Sequence, residues 1–445
     1  MKKTAKIYVS LAFISLAALL ATLYVSGGSY IPRFFFRDES DTGMDFFNSL
    51  AEAASYSCYI VYHTLYPPFA NEVFHDLAHL LPCDIRYSLP QSHQEIVDLR
   101  CTAGDLRCHQ ASLLLFIFFI MAYYAMVISV IIWRFRDNVK AGILLSLAAL
   151  SSCGSLTAME RGNIVMYSML FTMVFLFGYD SESRGVRWLA FASLAVAASL
   201  KLYPAAYGLM VFLIKDHKDT LLQVIHTILL SLDLSLLPML HFGGVQGLAL
   251  FFDSFFGFNA DPSGEDFTRY GMKGIASHFS SDLYNKTGIN IGVPSALSSA
   301  MLAISLILLL SAFLIHLHFG DNGWLAAFDI TLAIVLVQPK STDYTLSFFV
   351  PVILMMISEE DSLKLRDIPV FIMLLIFVLP YPTTPIRDAI DPVLHHVDII
   401  QSALILSVGY DFAACLKRII SALINHTHHG HFMHHGPQAP GPAYA

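Results

Sequence analysis

Charge is scarce in this sequence. Asp, Glu, Lys and Arg make up 13% of its 445 residues, where a soluble globular chain carries about a quarter. That deficit leaves no room for a large soluble domain. Basic residues are the minority, 26 Lys and Arg against 34 Asp and Glu, for a net charge of −8. A chain of that balance offers no broad cationic face to nucleic acid. It also lacks a Walker phosphate loop and a dinucleotide fingerprint, so no nucleotide-binding motif is present. Cysteine is sparse, six in all.

What fills the chain instead is apolar sequence: 56% hydrophobic residues and a mean hydropathy of +0.61. Apolar runs of this kind specify an all-α polytopic membrane protein. We read about twelve spans, near 7–26, 111–133, 141–157, 163–179, 188–200, 203–214, 221–240, 294–316, 324–337, 346–358, 369–381 and 398–416. The first, preceded by Lys2, Lys3 and Lys6, reads as an uncleaved helix. Lys201 and Pro204 break the fifth from the sixth, as a hairpin or a broken helix pair. Residues 1–420 form one transmembrane domain. The tail 421–445, with six His in "HTHHGHFMHHG", reads as disordered.

The basic loops set the expected orientation. With the N-terminus inside, "RFRDNVK", "SESRGVR", "KDHKD", "SLKLR" and Lys417-Arg418 all fall on the cytoplasmic side. Two long loops, about 27–110 and 242–293, then face outward, toward the periplasm in a bacterium. So do short turns bearing Glu160, Arg161, Lys201, Lys340 and Asp343. Three cations against the positive-inside trend favour a shared anionic ligand. Cys58, Cys83, Cys101 and Cys108 all lie in the first outer loop, where an oxidising compartment permits one or two disulfides.

That loop contains "MDFFNSLAEAA". Phe46, Phe47, Leu50, Ala53 and Ala54 alternate with Asn48, Ser49 and Glu52, the pattern of an amphipathic helix on a membrane surface with Asp45 in its first turn. Tyr66-Pro67-Pro68 then forces an extended turn. Asp233 and Asp329 fall inside spans, where acids are functional candidates by default; both are expected to pair with a hydroxyl on a neighbouring helix.

Three further stretches complete a pattern. An acid just after the first helix, an amphipathic stretch and a "YPP" turn resemble the GT-C membrane glycosyltransferases. "MERGNIVMYSMLF", "LAVAASLKLYPAAYGLMVFLI" and "VQPKSTDYTLSFFVP" resemble segments of glycosyltransferase family 87, whose members include polyprenol-phosphate-mannose-dependent mannosyltransferases. The likeness runs from about Asp45 to Pro351. It implies a GT-C type fold in the cell (inner or plasma) membrane, with the site facing outward. It also implies a polyprenyl-phosphate-linked sugar donor and a glycolipid or polysaccharide acceptor, both met within the membrane lipids.

Such a donor keeps its tail in the bilayer and presents an anionic head at the interface. Arg161, Lys201 and Lys340 suit its phosphate, the arginine by a bidentate fork. Asp45 suits the general base that takes the acceptor's hydroxyl proton. Glu160 is a candidate to orient Arg161 or the donor's hydroxyls, and Asn163, Tyr66, Tyr203 and Asp343 are candidate positioning groups. A phosphate leaving group met by protein cations requires no metal and no cofactor. Two other readings compete. A polymerase or ligase of lipid-linked polysaccharide shares the spans, outer loops and outer arginines but needs no acid directly after the first helix. A lipid or sugar transporter would carry a second broken helix in its other half, and none is found.

Overall fold

The computed structural model describes residues 1–27, 42–54, 58–62, 64–83, 85, 106–214, 218–260, 270–289, 295–338, 341–360, 363–382 and 396–432. Among these every regular element is helical. Lys340 and Cys101 lie outside the described residues, as does the tail from 433.

Five helices are long and apolar enough to cross a membrane: α1 (Lys3–Val25), α5 (Gln110–Arg134), α10 (Thr220–Leu236, carried on to Leu240 by a short 3-10 turn), α13 (Ser295–Phe319) and α17 (His396–Phe432). They expose apolar stripes. On α5 these are Leu113, Leu114, Ile117, Phe118 and Met121; on α13, Ile304, Ile307, Leu310 and Leu314. A helical face of this chemistry is satisfied by lipid tails. A sixth candidate span is bent: α6 (Val139–Leu150) and α7 (Cys153–Arg161), with the short turn before α6, meet at 64°.

Five shorter apolar helices lie mostly inside. They are α8 (Val165–Gly178), α9 (Arg184–Leu200), α14 (Gly323–Val337), α15 (Phe349–Glu359) and α16 (Ile368–Val378). α14 and α15 are buried almost all round, Trp324 and Phe328 to Val352 and Met356 among them. A helix that is hydrophobic on every side belongs in a core or a bilayer. Here protein covers both, which is why they are short and still carry no polar face.

Of the twelve expected spans, five, or six with the bent pair, are long and apolar enough to cross a membrane among the described residues; most elements nonetheless fall where the hydropathy places them, and three local differences stand out. The expected helix 141–157 breaks at Ser151-Ser152, because the Ser152 hydroxyl accepts from the Ser155 N–H and starts a new helix. The stretch after Lys201 is a 3-10 run, Tyr203–Leu213. Third, α2 (Met44–Ala53) forms as the pattern demands, but its apolar face meets protein. Phe46 packs against Phe74 of α4 (Pro68–His79) and against Phe116 and Phe119 of α5, with ring centroids 5.1–6.0 Å apart. Of the loop cysteines, Cys58 is a buried free thiol in the one-turn helix α3 (Cys58–Val61).

The basic loops share one end of the bundle. Lys2 and Arg134 both reach Ser358, Arg184 and Arg187 both hold Asp219, and Arg366 and Arg418 both hold Asp321. α8 and α15 run toward that end, whereas α9 and α14 run away from it. Lys201 and Asp343, which follow α9 and α14, therefore lie at the opposite end.

Candidate active site

At that opposite end, two helix termini meet. α7 finishes in a Schellman closure: Gly162 N–H donates to the Met159 carbonyl and Asn163 N–H to that of Ala158. The closure needs a left-handed residue, and Gly162 supplies it at φ +65°. There is no space for anything else. A Cβ on Gly162 would stand 2.6 Å from the Phe46 Cβ and 2.7 Å from the Phe116 ring. The Gly43 N–H, at the start of α2, donates to the Glu160 carbonyl at 2.7 Å. A donor-rich helix start is thereby joined to an acceptor-rich helix end.

Each terminus carries the side-chain charge its dipole favours, Asp45 in the first turn of α2 and Arg161 in the last turn of α7. The two pair through a fork, Arg161 Nε to Asp45 Oδ2 at 2.9 Å and Nη2 to Oδ1 at 2.8 Å. Asn163 Nδ2 donates to the same Oδ2 at 2.7 Å. Its Oδ1 accepts from the Val165 N–H at 2.9 Å, which fixes the amide's orientation. Asp45 thus accepts three hydrogen bonds from two residues 116 and 118 positions away. Its side chain is 15% exposed and that of Arg161 28%.

Lys201 stands beside this pair. It ends α9 in an extended conformation, and its ammonium lies 4.1 Å from the centroid of the Tyr66 ring. Burial pushes its pKa down to about 8, with Asp45 pulling the other way. Pro67 and Pro68 start α4 and leave Tyr66 in the turn before it; the Tyr66 carbonyl accepts from the Tyr59 hydroxyl at 2.8 Å and from Asn71. The Tyr203 ring packs edge-on against Phe348, 5.3 Å between centroids.

Asp343 belongs to a neighbouring cluster. It accepts a short hydrogen bond from the Tyr270 hydroxyl and lies 3.5 Å from His396 Nε2. α7 connects the two groups. Its first turn packs backbone to backbone on the 343–348 turn, so close that a Cβ on Gly154 would meet the Ser347 nitrogen.

The structure thus brings Asp45, Arg161, Asn163, Lys201 and Tyr66 together and sets Asp343 with Tyr270 and His396. Glu160 enters through its backbone carbonyl and is itself buried. The sequence reading passed over Glu52, two turns along the same face of α2 as Asp45. Burial and the Asp45 charge push its carboxyl up to about 7, against a lowering hydrogen bond from Thr64. Only its place on the polar side of α2 hinted at a role. Tyr270 and His396 carried no signal in the sequence.

The helices and the half-buried Asp45–Arg161 pair at one end of the bundle define a helical membrane protein with a charged site. The sequence model of glycosyltransferase family 87 matches residues 104–339, more than half of the chain; the chain belongs to that family and is a glycosyltransferase. No curated protein and no solved structure matches it. The matched region holds Arg161, Asn163 and Lys201. Asp45 precedes it, yet the Arg161–Asn163 pair grips it.

Proposed function

We propose that the protein transfers a hexose, mannose as first choice, from a polyprenyl-monophosphate donor to a glycolipid or polysaccharide acceptor. The reaction runs at the outer face of the inner or plasma membrane, in a chain of about twelve spans with both termini inside. The observation that carries this reading is the fork between Asp45 and Arg161 beside half-buried Lys201. A carboxylate and two cations meet there, as a displacement at an anomeric carbon with a phosphate leaving group requires.

In this scheme the donor's phosphate competes with Asp45 for the Arg161 fork. As Arg161 turns to the phosphate, the carboxylate loses two hydrogen bonds and is free to accept one from the acceptor hydroxyl. It then takes the acceptor's proton while the acceptor oxygen attacks the anomeric carbon. The bond to the phosphate oxygen breaks, and polyprenyl phosphate leaves against Arg161, Lys201 and Lys340. A single displacement of this kind inverts the anomeric centre. Glu52, Asn163, Tyr66, Tyr203, Glu160 and Asp343 position the sugar and the acceptor.

The test is incubation of the purified protein with a panel of polyprenyl-monophosphate sugars and candidate acceptors. Release of polyprenyl phosphate with sugar transfer is expected. Transfer only from pyrophosphate-linked oligosaccharides would replace this reading with a polymerase or ligase. Cysteine labelling at Ser92, Thr268 and Ser183 tests the orientation: the first two should react from outside and the third should not.

A further inference from the structure

Away from the Asp45 cluster, toward the basic end of the bundle, a second group of ionisable side chains is buried where α13, α14 and α17 meet. It holds His316 from the last turn of α13, Asp329 from the middle of α14, and Asp411 and Cys415 from α17. The last two are four residues apart and share a helix face. All four are at most 3% exposed. Asp329 was expected to meet a hydroxyl on a neighbouring helix. It lies instead beside a histidine, and neither of its oxygens has a hydrogen-bond partner among the described residues; nor has Asp411 Oδ2. Buried carboxylate oxygens left in this way are costly unless a cation or a proton meets them.

We propose that this cluster is a binding site for a divalent transition metal, with zinc the best match. His316 Nε2 is 3.5 Å from Asp411 Oδ1, 3.6 Å from Cys415 Sγ and 3.7 Å from Asp329 Oδ2. Ligands at ordinary zinc distances in a tetrahedron stand about 3.4–3.6 Å from one another. The ligand atoms of His316, Asp411 and Cys415 all lie within 4.8 Å of one another, so the set closes on an ion by a side-chain movement of about 1 Å. A thiolate, an imidazole and carboxylates select zinc over calcium or magnesium.

The surroundings fit the same chemistry. His316 Nδ1 lies 2.8 Å from Asp321 Oδ2. A carboxylate on one ring nitrogen fixes the tautomer and aims the lone pair of the other at a metal. Asp321 is in turn held by Arg418 and by Arg366. A divalent ion with two carboxylates, a thiolate and a neutral imidazole leaves one negative charge. Beside it Asp321 pairs with Arg418, and Arg366 is shared between Asp321 and Asp367. The ion would tie three helices together at a distance from the transfer site, which makes its role structural.

Cobalt(II) is the probe, because a thiolate ligand gives it a charge-transfer band that the histidines of the C-terminal tail cannot produce. The full-length protein, stripped by chelator, is titrated with Co2+ and then with Zn2+. A saturable thiolate band is expected, displaced by Zn2+ and lost in Cys415→Ser. Asp321→Asn should keep the band and weaken affinity about 10–100-fold. Absence of the band in the wild-type protein overturns the proposal and leaves Asp329 and Asp411 sharing a proton. Persistence of the band in Cys415→Ser also overturns it, by assigning the metal to another cysteine. Should Cys415→Ser not fold, Asp411→Asn decides: weakened Co2+ affinity supports the site, and unchanged affinity refutes it.

Discussion

Replacing Asp45 with Asn separates the two things that Asp45 does in this structure. As a carboxylate it accepts both arms of the Arg161 fork and the Asn163 amide. An asparagine offers one carbonyl oxygen and an amide that cannot accept. At least one of the three bonds is lost, and the others lose their charge assistance. Charge-assisted bonds are worth roughly 1.5–3 kcal/mol each when well shielded. With the two side chains 15% and 28% exposed, solvent screening brings the expected loss of stability to about 1–2 kcal/mol. The catalytic loss should be larger. Removing a general base lowers turnover by about 100-fold or more, equivalent to about 2.7 kcal/mol in the barrier. The diagnostic quantity is affinity for polyprenyl phosphate, read by competition against the donor. Freed from the carboxylate, Arg161 should bind the phosphate as well as before or better. A purely structural Asp45 would lose turnover and phosphate affinity together. A well-folded Asp45→Asn protein that keeps more than about a tenth of its turnover refutes the assignment of the base.

Three other outcomes are expected. Arg161→Ala should lower catalytic efficiency about 10–100-fold and weaken polyprenyl phosphate binding in parallel, with Arg161→Lys less affected; unchanged phosphate affinity would leave Arg161 as a partner of Asp45 alone. Gly162→Ala should destabilise by about 2–4 kcal/mol, from a left-handed alanine and a Cβ driven into Phe46 and Phe116; a melting temperature in detergent equal to wild type would contradict the packing described. Glu52, raised in the folded protein to about 7 from an ordinary 4.5, binds its proton more tightly folded than unfolded. Its contribution is therefore full below pH 4.5 and lost as pH rises through 7, by at most about 3 kcal/mol. Melting temperature should fall across that window in wild type and flatten in Glu52→Gln.

How much of this was legible beforehand depends on the range of the interaction. α5 and α13 were legible because lipid-facing helices carry their own signal, residue by residue. α2 was legible as an amphipathic helix, but its covering was not. Phe46 cannot announce whether lipid or Phe74 and Phe119 will meet it. Asp45 and Arg161 were each singled out, for separate roles, and nothing in a single sequence joins positions 116 apart. The break at Ser151-Ser152 had a local cause, a serine N-cap, that an unbroken apolar run concealed. Asp329 stood out as an acid in a span, while its neighbours come from two other helices.

That break has a further consequence. Because α6 and α7 meet at 64°, α7 lies as a crossbar between the 343–348 turn, where Gly154 is wedged, and α2, where Gly162 is wedged. Gly154 meets the backbone of Leu346 and Ser347, Gly162 meets the Phe46 and Phe116 side chains, and the Gly43 N–H holds the Glu160 carbonyl, so the crossbar works as a gauge block of nine residues. One residue more or fewer would advance its tip by about 1.5 Å and swing the guanidinium about 100° around the axis, away from Asp45. Apart from Gly154, Arg161 and Gly162, the sequence between Ser152 and Asn163 should therefore tolerate changes in side chain but not in length.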